Sequence, residues 1–349
     1  MIKVLIVDDS RIMQETLRFI LSSDPVFNIV GYAKNGEEAI EMNAKYKPDV
    51  ITMDWQMPKV NGQKATQQIM STNPTPIVVV TGSIAANDVT ISFSLMEAGA
   101  LAIVKKPHGL SHPLYKKETN ELLQTLKLMS EVKLVRRTNN TNINKLKSVT
   151  NRGNIQVDKG HRFIAIGAST GGPIALQKLL SNLPSNFPIP ILIVQHISKG
   201  FVKGFVEWLM NTTNLPVHVA YNGEIVLPGH VYVAPDDHQM GIAKGLKITL
   251  DKSELENSLR PSVSYLFRSC AENHGSSAIG VLLSGMGRDG ADELKLMRDN
   301  GSVTFAQDKN SSVVHGMPGE AIILEAASAI LPPDEIAFAI TKLMSNSKK

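Results

Sequence analysis

The first 110 residues alternate five apolar segments with stretches whose apolar residues recur at helical spacing. Each apolar segment is a nearly continuous run, which is typical of a strand buried on both faces of a parallel sheet. Stretches such as residues 10–23 would form the helices that cover those faces. The pattern predicts a doubly wound α/β domain with five parallel strands, which we place at residues 3–9, 27–33, 48–54, 75–82 and 100–107.

A change in composition separates this segment from a second α/β pattern. A helical pattern over residues 114–135 completes the first domain, which we therefore expect over residues 1–135. Residues 136–160 are polar, rich in asparagine and short of large apolar side chains, so they are expected to form a linker. Residues 161–349 are expected to form a larger α/β domain with a mainly parallel sheet, in which residues 230–251 alternate like a β-hairpin.

Charge, cysteine content and hydropathy exclude several classes of protein. The net charge of +4 over 349 residues is too weak to indicate a nucleic-acid partner. The single cysteine, Cys270, excludes a disulfide framework and a cysteine-built zinc site, and its helical context favours a place in the core. No apolar run reaches the roughly 18 residues that span a bilayer, and two aspartates interrupt the N-terminal apolar run, so we expect a cytoplasmic protein without membrane insertion.

Charged and hydroxyl side chains follow the strands of the first domain, where ligands of open α/β sheets bind. The first strand ends in Asp8 and Asp9, the third in Asp54, the fourth in Thr81 and the fifth in Lys106. Three carboxylates in one crevice repel one another unless a cation such as Mg²⁺ lies among them. An amine and a hydroxyl across the crevice would bind phosphoryl oxygens, which makes the central Asp54 the candidate phosphoacceptor. Helix N-capping is the structural alternative for each aspartate taken alone.

These motifs resemble, in their order and spacing, the receiver domain of two-component response regulators over residues 1–110. The matching stretches are VLIVDDS, DVITMDWQMPKVNG, PIVVVTGS and GALAIVKKP. The resemblance implies that Asp54 accepts a phosphoryl group from a histidine kinase and that Thr81 and Lys106 sense the phosphate. Ile103 stands where receivers often carry an aromatic switch residue. The resemblance also implies a Mg²⁺ site formed by Asp8, Asp9, Asp54 and the carbonyl of Gln56.

Residues 163–173, FIAIGASTGGP, place Ser169 between an apolar strand and a helical pattern. The spacing Gly167-x-Ser169-x-Gly171 is typical of a nucleophile elbow, in which a strand-to-helix turn exposes a serine at the sheet edge. A dinucleotide-binding turn needs a glycine at the serine position and an acidic residue about 20 positions on, and both are missing. A Walker-type phosphate loop needs Gly-Lys-Ser/Thr, which is also missing. The elbow motif alone is only moderately specific. The interpretation of Ser169 as a nucleophile therefore also requires a base elsewhere in the sequence.

Two further residues complete a candidate catalytic group. Among the nine histidines, His196 alone directly ends a long buried strand, in the βα unit after Ser169, and parallel strands would bring both to one edge. Judged by its position in the sequence alone, His196 could equally well have a purely structural role. Asp289 follows another apolar strand and a glycine-rich turn, where it would orient the imidazole or, alternatively, cap the next helix. The chain order Ser, His, Asp excludes the α/β-hydrolase fold but not a triad, which is defined by geometry.

The second domain resembles, almost from end to end, the catalytic domain of the chemotaxis protein-glutamate methylesterase family, CheB. The matching stretches are IGASTGGP, VQHI, GEIVLPGHVYVAP, RPSVSYLFRS, LLSGMGRDGA and SSVVHGMPGEAI. The resemblance implies that Ser169, His196 and Asp289 form a triad that needs no cofactor and hydrolyses glutamate methyl esters on chemoreceptors. It further implies glutamine deamidation at the same site. It implies the Met286 amide as an oxyanion donor beside Thr170, whose own amide the elbow motif favours.

The two resemblances together predict a phosphorylation-regulated hydrolase that controls sensory adaptation. Its partners would be methylated chemoreceptor cytoplasmic domains and a histidine kinase. One alternative is the same hydrolase acting on a protein outside chemotaxis. A DNA-binding or non-catalytic response regulator is a weaker alternative, because residues 161–349 contain neither a recognition-helix module nor a basic stripe. His315 and Gly319 stand where the family commonly has an aromatic residue and an arginine, which bears on substrate docking.

Overall fold

The computed structural model describes residues 1–82, 93–132, 134, 160 and 162–346. The chain forms two compact units, Met1–Ser148 and Val149–Lys349. Apart from Gly160, the predicted linker over residues 136–160 lies outside the described residues, so the domain limits drawn from it stay a prediction. Within the described ranges, no helix combines the length and the apolar character needed to cross a bilayer.

The first unit is the doubly wound α/β domain that the sequence predicted. Its parallel sheet has the order β2-β1-β3-β4-β5, so the winding reverses between β1 and β3 and opens a crevice at their carboxyl ends. The strands are β1 (Ile2–Val7), β2 (Phe27–Ala33), β3 (Val50–Met53), β4 (Ile77–Thr81) and β5 (Ala102–Lys105). The helices with both ends described are α1 (Arg11–Ser22), α2 (Gly36–Tyr46), α3 (Gly62–Thr72) and α4 (Tyr115–Ser130).

Short polar side chains determine where the first three helices begin. Ser10, Asn35 and Asn61 precede α1, α2 and α3, and each side-chain oxygen accepts a hydrogen bond from the backbone N–H three residues on. The aspartates at the strand ends do not perform this function. The alternative that Asp8 and Asp54 act as helix caps is therefore wrong. Both carboxyl groups are left to serve the crevice at the carboxyl ends of the strands.

The second unit contains a seven-stranded sheet in which every pair of neighbours is parallel. The strand order is β14-β13-β12-β6-β7-β9-β8, which places β12, β6 and β7 side by side near the centre. The strands are β6 (Phe163–Ala168), β7 (Ile191–Gln195), β8 (Val217–Val219), β9 (Val231–Val233), β12 (Ala278–Leu282), β13 (Val303–Gln307) and β14 (Ala329–Leu331). Because these strands run in one direction, their carboxyl ends form one edge.

A β-hairpin lies between β9 and β12 in the chain, but it is shorter than the sequence pattern predicted. Its strands are β10 (Gln239–Ala243) and β11 (Lys247–Asp251), which pair antiparallel. The prediction of a hairpin over residues 230–251 is wrong at its start, because β9 pairs in parallel with β7 and β8. A strand of three residues is too short for its apolar pattern to indicate which sheet it joins.

Helices cover both faces of the seven-stranded sheet. They are α5 (Gly172–Ser181), α6 (Val202–Thr212), α7 (Val263–His274), α8 (Ala291–Asp299), α9 (Met317–Ile323) and α10 (Pro333–Asn346). On one face, Val263 and Phe267 of α7 pack with Val194 of β7 and Met240 of the hairpin in a buried cluster. Cys270 belongs to the same cluster, and its complete burial raises the pKa of its thiol. A neutral, inaccessible thiol agrees with the core position predicted for it.

Candidate active site

Ser169 and His196 directly follow paired residues on neighbouring strands. Ala168 of β6 is the register partner of Gln195 of β7, and the His196 N–H donates to the Ala168 carbonyl at 2.9 Å. On its other side, the Ser169 N–H donates to the carbonyl of Ser284, just after β12, at 3.0 Å. The backbone of Ser169 is therefore fixed between the ends of β7 and β12.

The strand, the turn and the helix around Ser169 follow in the predicted order. Gly171 has a φ of 77° and precedes α5, which begins at Gly172. A residue with a side chain rarely adopts this left-handed conformation, which explains the glycine. Ser169 itself has no positive φ, so the sharp backbone turn is made two residues after the serine. The hydroxyl-bearing residue remains at the carboxyl edge of the sheet.

Asp289 is buried and lies against the imidazole of His196. Its Oδ2 is 2.9 Å from His196 Nε2, and the two side chains are only 4% and 12% exposed. This is the distance of a close ionic or polar contact, although the ring N–H is not aligned for a hydrogen bond. Nε2 therefore faces the carboxylate, and Nδ1 is the nitrogen left for another partner.

The Asp289 carboxylate also caps the start of α7. Oδ1 accepts from the Ser262 hydroxyl at 2.8 Å and the Ser264 amide at 3.2 Å, while Oδ2 accepts from the Val263 amide at 2.7 Å. The alternative that Asp289 caps the helix after it, α8, is therefore wrong. Burial alone would raise the pKa of Asp289, but His196, the Val263 amide and the Ser262 hydroxyl together lower it. The group is ionised at neutral pH.

Two backbone amides near Ser169 are candidate donors to a ligand. The loop that contains Met286 packs on the serine, because a Cβ built on Gly285 would lie 2.8 Å from the Ser169 Cβ. That loop is fixed by the Gly285 N–H, which donates to the Val314 carbonyl at 3.0 Å. The N–H groups of Thr170 and Met286 meet no acceptor in the described part of the chain. They are therefore available to an external oxygen.

His315 and Gly319, the two departures from the family pattern, are neighbours in space. His315 pairs with Gly285 in an isolated parallel bridge, so it flanks the loop against Ser169. A Cβ built on Gly319 would lie 3.1 Å from His315 Cδ2, so a side chain there would press on the imidazole. Burial lowers the pKa of His315, and Lys309 adds to the effect. The ring is therefore mostly neutral at pH 7. Because a side chain at position 319 would press on this ring, the two departures from the family pattern depend on each other.

The first unit brings its predicted acidic residues together. Asp8, Asp9 and Asp54 each offer a carboxylate oxygen within 4.8 Å of the others. Lys106 Nζ lies 2.7 Å from Oδ2 of Asp8 and 2.7 Å from Oδ2 of Asp54. Burial raises the pKa of Asp8 although Lys106 opposes it, whereas for Lys106 the contacts with Asp54 and Asp8 outweigh burial and raise its pKa. One amine therefore contacts two of the three carboxyl groups in this cluster.

Thr81 and Gln56 lie beside this acidic crevice through their backbones. Thr81 is buried at the end of β4, and its carbonyl accepts from the Lys106 N–H at 2.7 Å. The backbone N–H of Gln56 donates to Asp54 Oδ1 at 3.4 Å, and the Mg²⁺-binding role of its carbonyl stays a prediction. The crevice offers hard carboxylate oxygens with an incompletely balanced negative charge, and this donor set fits Mg²⁺.

Several residues that support the serine turn were not identified from the sequence. Ser262 would have been recognisable as a helix N-cap before the apolar pattern of α7, but nothing in the sequence links it to Asp289. Ser284 donates through Oγ to the Thr170 carbonyl at 2.7 Å and accepts from the Val314 N–H at 3.0 Å. These contacts join segments more than 20 residues apart, so only the tertiary structure reveals them.

Known proteins match both units. Residues 164–340 match the family model described as CheB methylesterase, and residues 4–114 match the model of the response regulator receiver domain. A protein-glutamate methylesterase/protein-glutamine glutaminase of Nitrosospira multiformis is 51% identical, over 99% of this chain and 98% of its own length. A similarly named protein of Geobacter metallireducens is 49% identical, over 98% of this chain and 99% of its own length.

A solved structure supports the assignment of the second unit. The crystal structure of the Thermotoga maritima CheB methylesterase catalytic domain is 40% identical, with a TM-score of 0.50. The match covers 53% of this chain and 98% of that one. The chain therefore belongs to the CheB methylesterase family and carries a response regulator receiver domain ahead of its methylesterase domain.

Proposed function

We propose that this protein hydrolyses methyl esters of glutamate side chains on chemoreceptor cytoplasmic domains and deamidates glutamines there, with Ser169 as the nucleophile. The observation that carries the proposal is the placement of Ser169, His196 and Asp289 at one sheet edge, with the His196 ring against the Asp289 carboxylate. The names of the full-length relatives supply the reaction and the substrate side chains. Receptor adaptation would be the biological outcome.

The proposed acylation step follows from the orientation of His196. Because Nε2 faces Asp289, Nδ1 accepts the Ser169 hydroxyl proton. The serine Oγ forms a bond to the γ-carbonyl carbon of the methylated glutamate, and the carbonyl electron pair moves to oxygen. The amides of Thr170 and Met286 donate to that oxyanion, each contributing about 3 kcal/mol to lowering the barrier. The C–O bond to the methoxy group then breaks, and Nδ1–H returns the proton to release methanol.

Deacylation uses the same groups with water as the nucleophile. His196 Nδ1 takes a proton from the water as it attacks the glutamyl ester, and then protonates Ser169 as that ester bond breaks. The products are a glutamate carboxyl group and the free enzyme. With glutamine as the substrate, ammonia leaves in place of methanol, and the remaining steps are identical. Asp289 stays ionised throughout and stabilises the imidazolium.

We further propose that phosphorylation of Asp54 by a histidine kinase controls the hydrolase. Lys106, which contacts both Asp54 and Asp8, would move its ion pair onto the new phosphoryl oxygens, and Thr81 would donate its hydroxyl to them. Mg²⁺ bound among the carboxylates of Asp8, Asp9 and Asp54 and the Gln56 carbonyl would supply positive charge to the transferring group.

Methanol release from receptors tests the proposed reaction directly. Full-length protein is mixed with chemoreceptor cytoplasmic domains that carry radiolabelled methyl esters, with and without a small-molecule phosphodonor such as acetyl phosphate. We expect labelled methanol to appear, faster with the donor. Release from a different methylated protein, but not from receptors, would instead favour a hydrolase that acts outside chemotaxis.

The variant Asp54→Asn separates phosphorylation from hydrolysis. Asparagine keeps the shape of the side chain but has no carboxylate oxygen to accept a phosphoryl group, so incorporation of labelled phosphate should fall to background. Basal methanol release should persist and become insensitive to the phosphodonor. Asp49→Asn is the matched control, because Asp49 is an exposed aspartate at the opposite end of the same strand. Full labelling of the Asp54→Asn protein would contradict the assignment.

A further inference from the structure

Gln195 is a buried polar residue between the two candidate catalytic residues. It is 4% exposed, it ends β7, and it is the register partner of Ala168 on β6. Its neighbours in these two strands are therefore His196, which follows it in the chain, and Ser169, which follows its partner. A glutamine in this position can contact both strand ends at once.

The side chain of Gln195 joins the backbones of these two residues. Its Nε2 donates to the Ser169 carbonyl at 2.8 Å and to the His196 carbonyl at 2.8 Å. Both amide hydrogens are therefore used, one on each strand end. The reverse amide orientation would direct an oxygen at two carbonyl oxygens, so the hydrogen-bond network determines which atom is the nitrogen. The His196 N–H also donates to the Ala168 carbonyl, so Gln195 adds two side-chain bonds to the backbone pairing at these strand ends.

Packing holds the glutamine in this orientation. Its Oε1 is buried and has no hydrogen-bond partner among the described residues. It lies against the first residue of α5, since a Cβ built on Gly172 would come within 2.3 Å of it. An unpaired buried oxygen costs stability, and this cost is set against the bonds that the same side chain makes. The two hydrogen bonds from Gln195 Nε2 to Ser169 and His196 offset the cost of the unpaired Oε1.

We propose that Gln195 is a positioning residue that fixes the separation between the Ser169 hydroxyl and the His196 imidazole. The proposal rests on the proposed function, in which a proton passes between these two groups. Ser169 and His196 belong to separate loops beyond the strand ends, and one amide nitrogen ties them together. Proton transfer requires hydrogen-bond reach, and a displacement of about 1 Å can lower a rate about 100-fold.

The variant Gln195→Met tests the proposal, because methionine has a similar length and volume and lacks both donors. We expect kcat for methanol release to fall about 10- to 100-fold while KM changes less than about threefold. The rate at which a fluorophosphonate labels Ser169 should fall in parallel. Rates are expressed per folded protein, determined by circular dichroism and titration. An unchanged kcat and labelling rate in folded Gln195→Met would overturn the proposal.

A second variant, Gln195→Glu, adds a readout that packing alone would not change. A buried carboxylate would repel the two carbonyl oxygens, whereas the protonated acid donates one hydrogen bond. Its activity relative to the native enzyme should therefore rise as the pH falls from 8 to 6. A relative activity that does not change with pH would contradict the donor role, even if the methionine variant failed to fold.

Two controls separate this inference from others. Thr304→Val removes the hydroxyl of a buried residue in the same sheet, where Thr304 Oγ1 donates to the Ala326 carbonyl and accepts from the Ser328 N–H. It should lower stability and leave kcat per folded protein unchanged. Ser169→Ala, measured alongside, tests the proposed function itself. If Ser169→Ala is inactive and both Gln195 variants match the native enzyme at every pH, only the positioning role fails.

Discussion

Ser169→Ala is expected to lower methanol release from methylated receptors by about 10⁴-fold or more, because the variant lacks the atom that would form the acyl-enzyme. Fold and phosphorylation should be unaffected. The retained Cβ still packs on Gly285, and the backbone bond to Ser284 does not involve the hydroxyl. Measurements of labelled methanol, of phosphate incorporation at Asp54 and of the thermal unfolding temperature would together define the effect.

The control for this variant is Ser181→Ala, which removes an exposed hydroxyl at the end of α5. That hydroxyl donates to the Lys178 carbonyl in its own helix, so the activity should remain at the native level. Residual release by Ser169→Ala above about 1% of the native rate would remove this serine from the role of nucleophile. Another group would then have to carry the reaction, and the proposed mechanism would be wrong.

Asp289→Asn should reduce both the activity and the stability. Under the proposed mechanism, loss of the charge that would stabilise the imidazolium of His196 is expected to lower kcat by about 10³- to 10⁴-fold. An amide has one acceptor oxygen, so either Val263 N–H or the pair Ser262 and Ser264 would face an NH₂ group at the start of α7. We expect the free energy of unfolding to fall by about 1–3 kcal/mol. Methanol release and urea unfolding measure the two effects separately.

The nearby variant Asp292→Asn provides the comparison for both measurements. Asp292 is exposed, and its carboxylate contacts the Arg288 guanidinium on the surface. Exposed ion pairs contribute about 0–1 kcal/mol, so this variant should stay close to the native protein in stability and in rate. Equal losses in the two variants would show that the effect of residue 289 is not specific to its buried contacts.

The lowered pKa of Asp289 gives the stability effect a defined pH dependence. Because the folded-state pKa lies below the unfolded value of about 3.9, the ionised carboxylate stabilises the folded protein fully above that pH. This contribution is lost as the pH falls further toward the folded-state pKa. The difference in unfolding free energy between the native protein and Asp289→Asn should therefore be constant near pH 7 and shrink below about pH 4. A difference that grew with acid would contradict the assigned sign.

The fold was predictable from the sequence where elements carry strong local patterns. The continuous apolar runs of β1, β3 and β4 and the helical spacing of α1 identify the receiver sheet without further information. The short strands of the second unit were harder. Val231–Val233 was assigned to the hairpin, although it belongs to the main sheet, because strand pairing depends on contacts between distant residues. The sequence of a three-residue strand does not indicate which strands lie beside it in the sheet.

The candidate site was predictable only as a set of strand ends. Placing Ser169 and His196 after adjacent parallel strands was sufficient to expect them at one edge, and the register of β6 with β7 agrees. The roles assigned to them remain proposals. The contacts of Asp289 with α7 and of Gln195 with both strand ends were not predictable, because each depends on backbone groups of segments that approach only in the folded chain.

The double attachment of Asp289, to His196 and to the first turn of α7, has an evolutionary consequence. A descendant relieved of selection for hydrolysis would still be selected against losing this aspartate, since α7 would lose its cap. Substitutions of Ser169 would not be selected against in this way, because its side chain does not cap a helix. Retention of the aspartate in a divergent relative is therefore a poor guide to surviving enzymatic activity, whereas under the proposed mechanism replacement of the serine would indicate its loss.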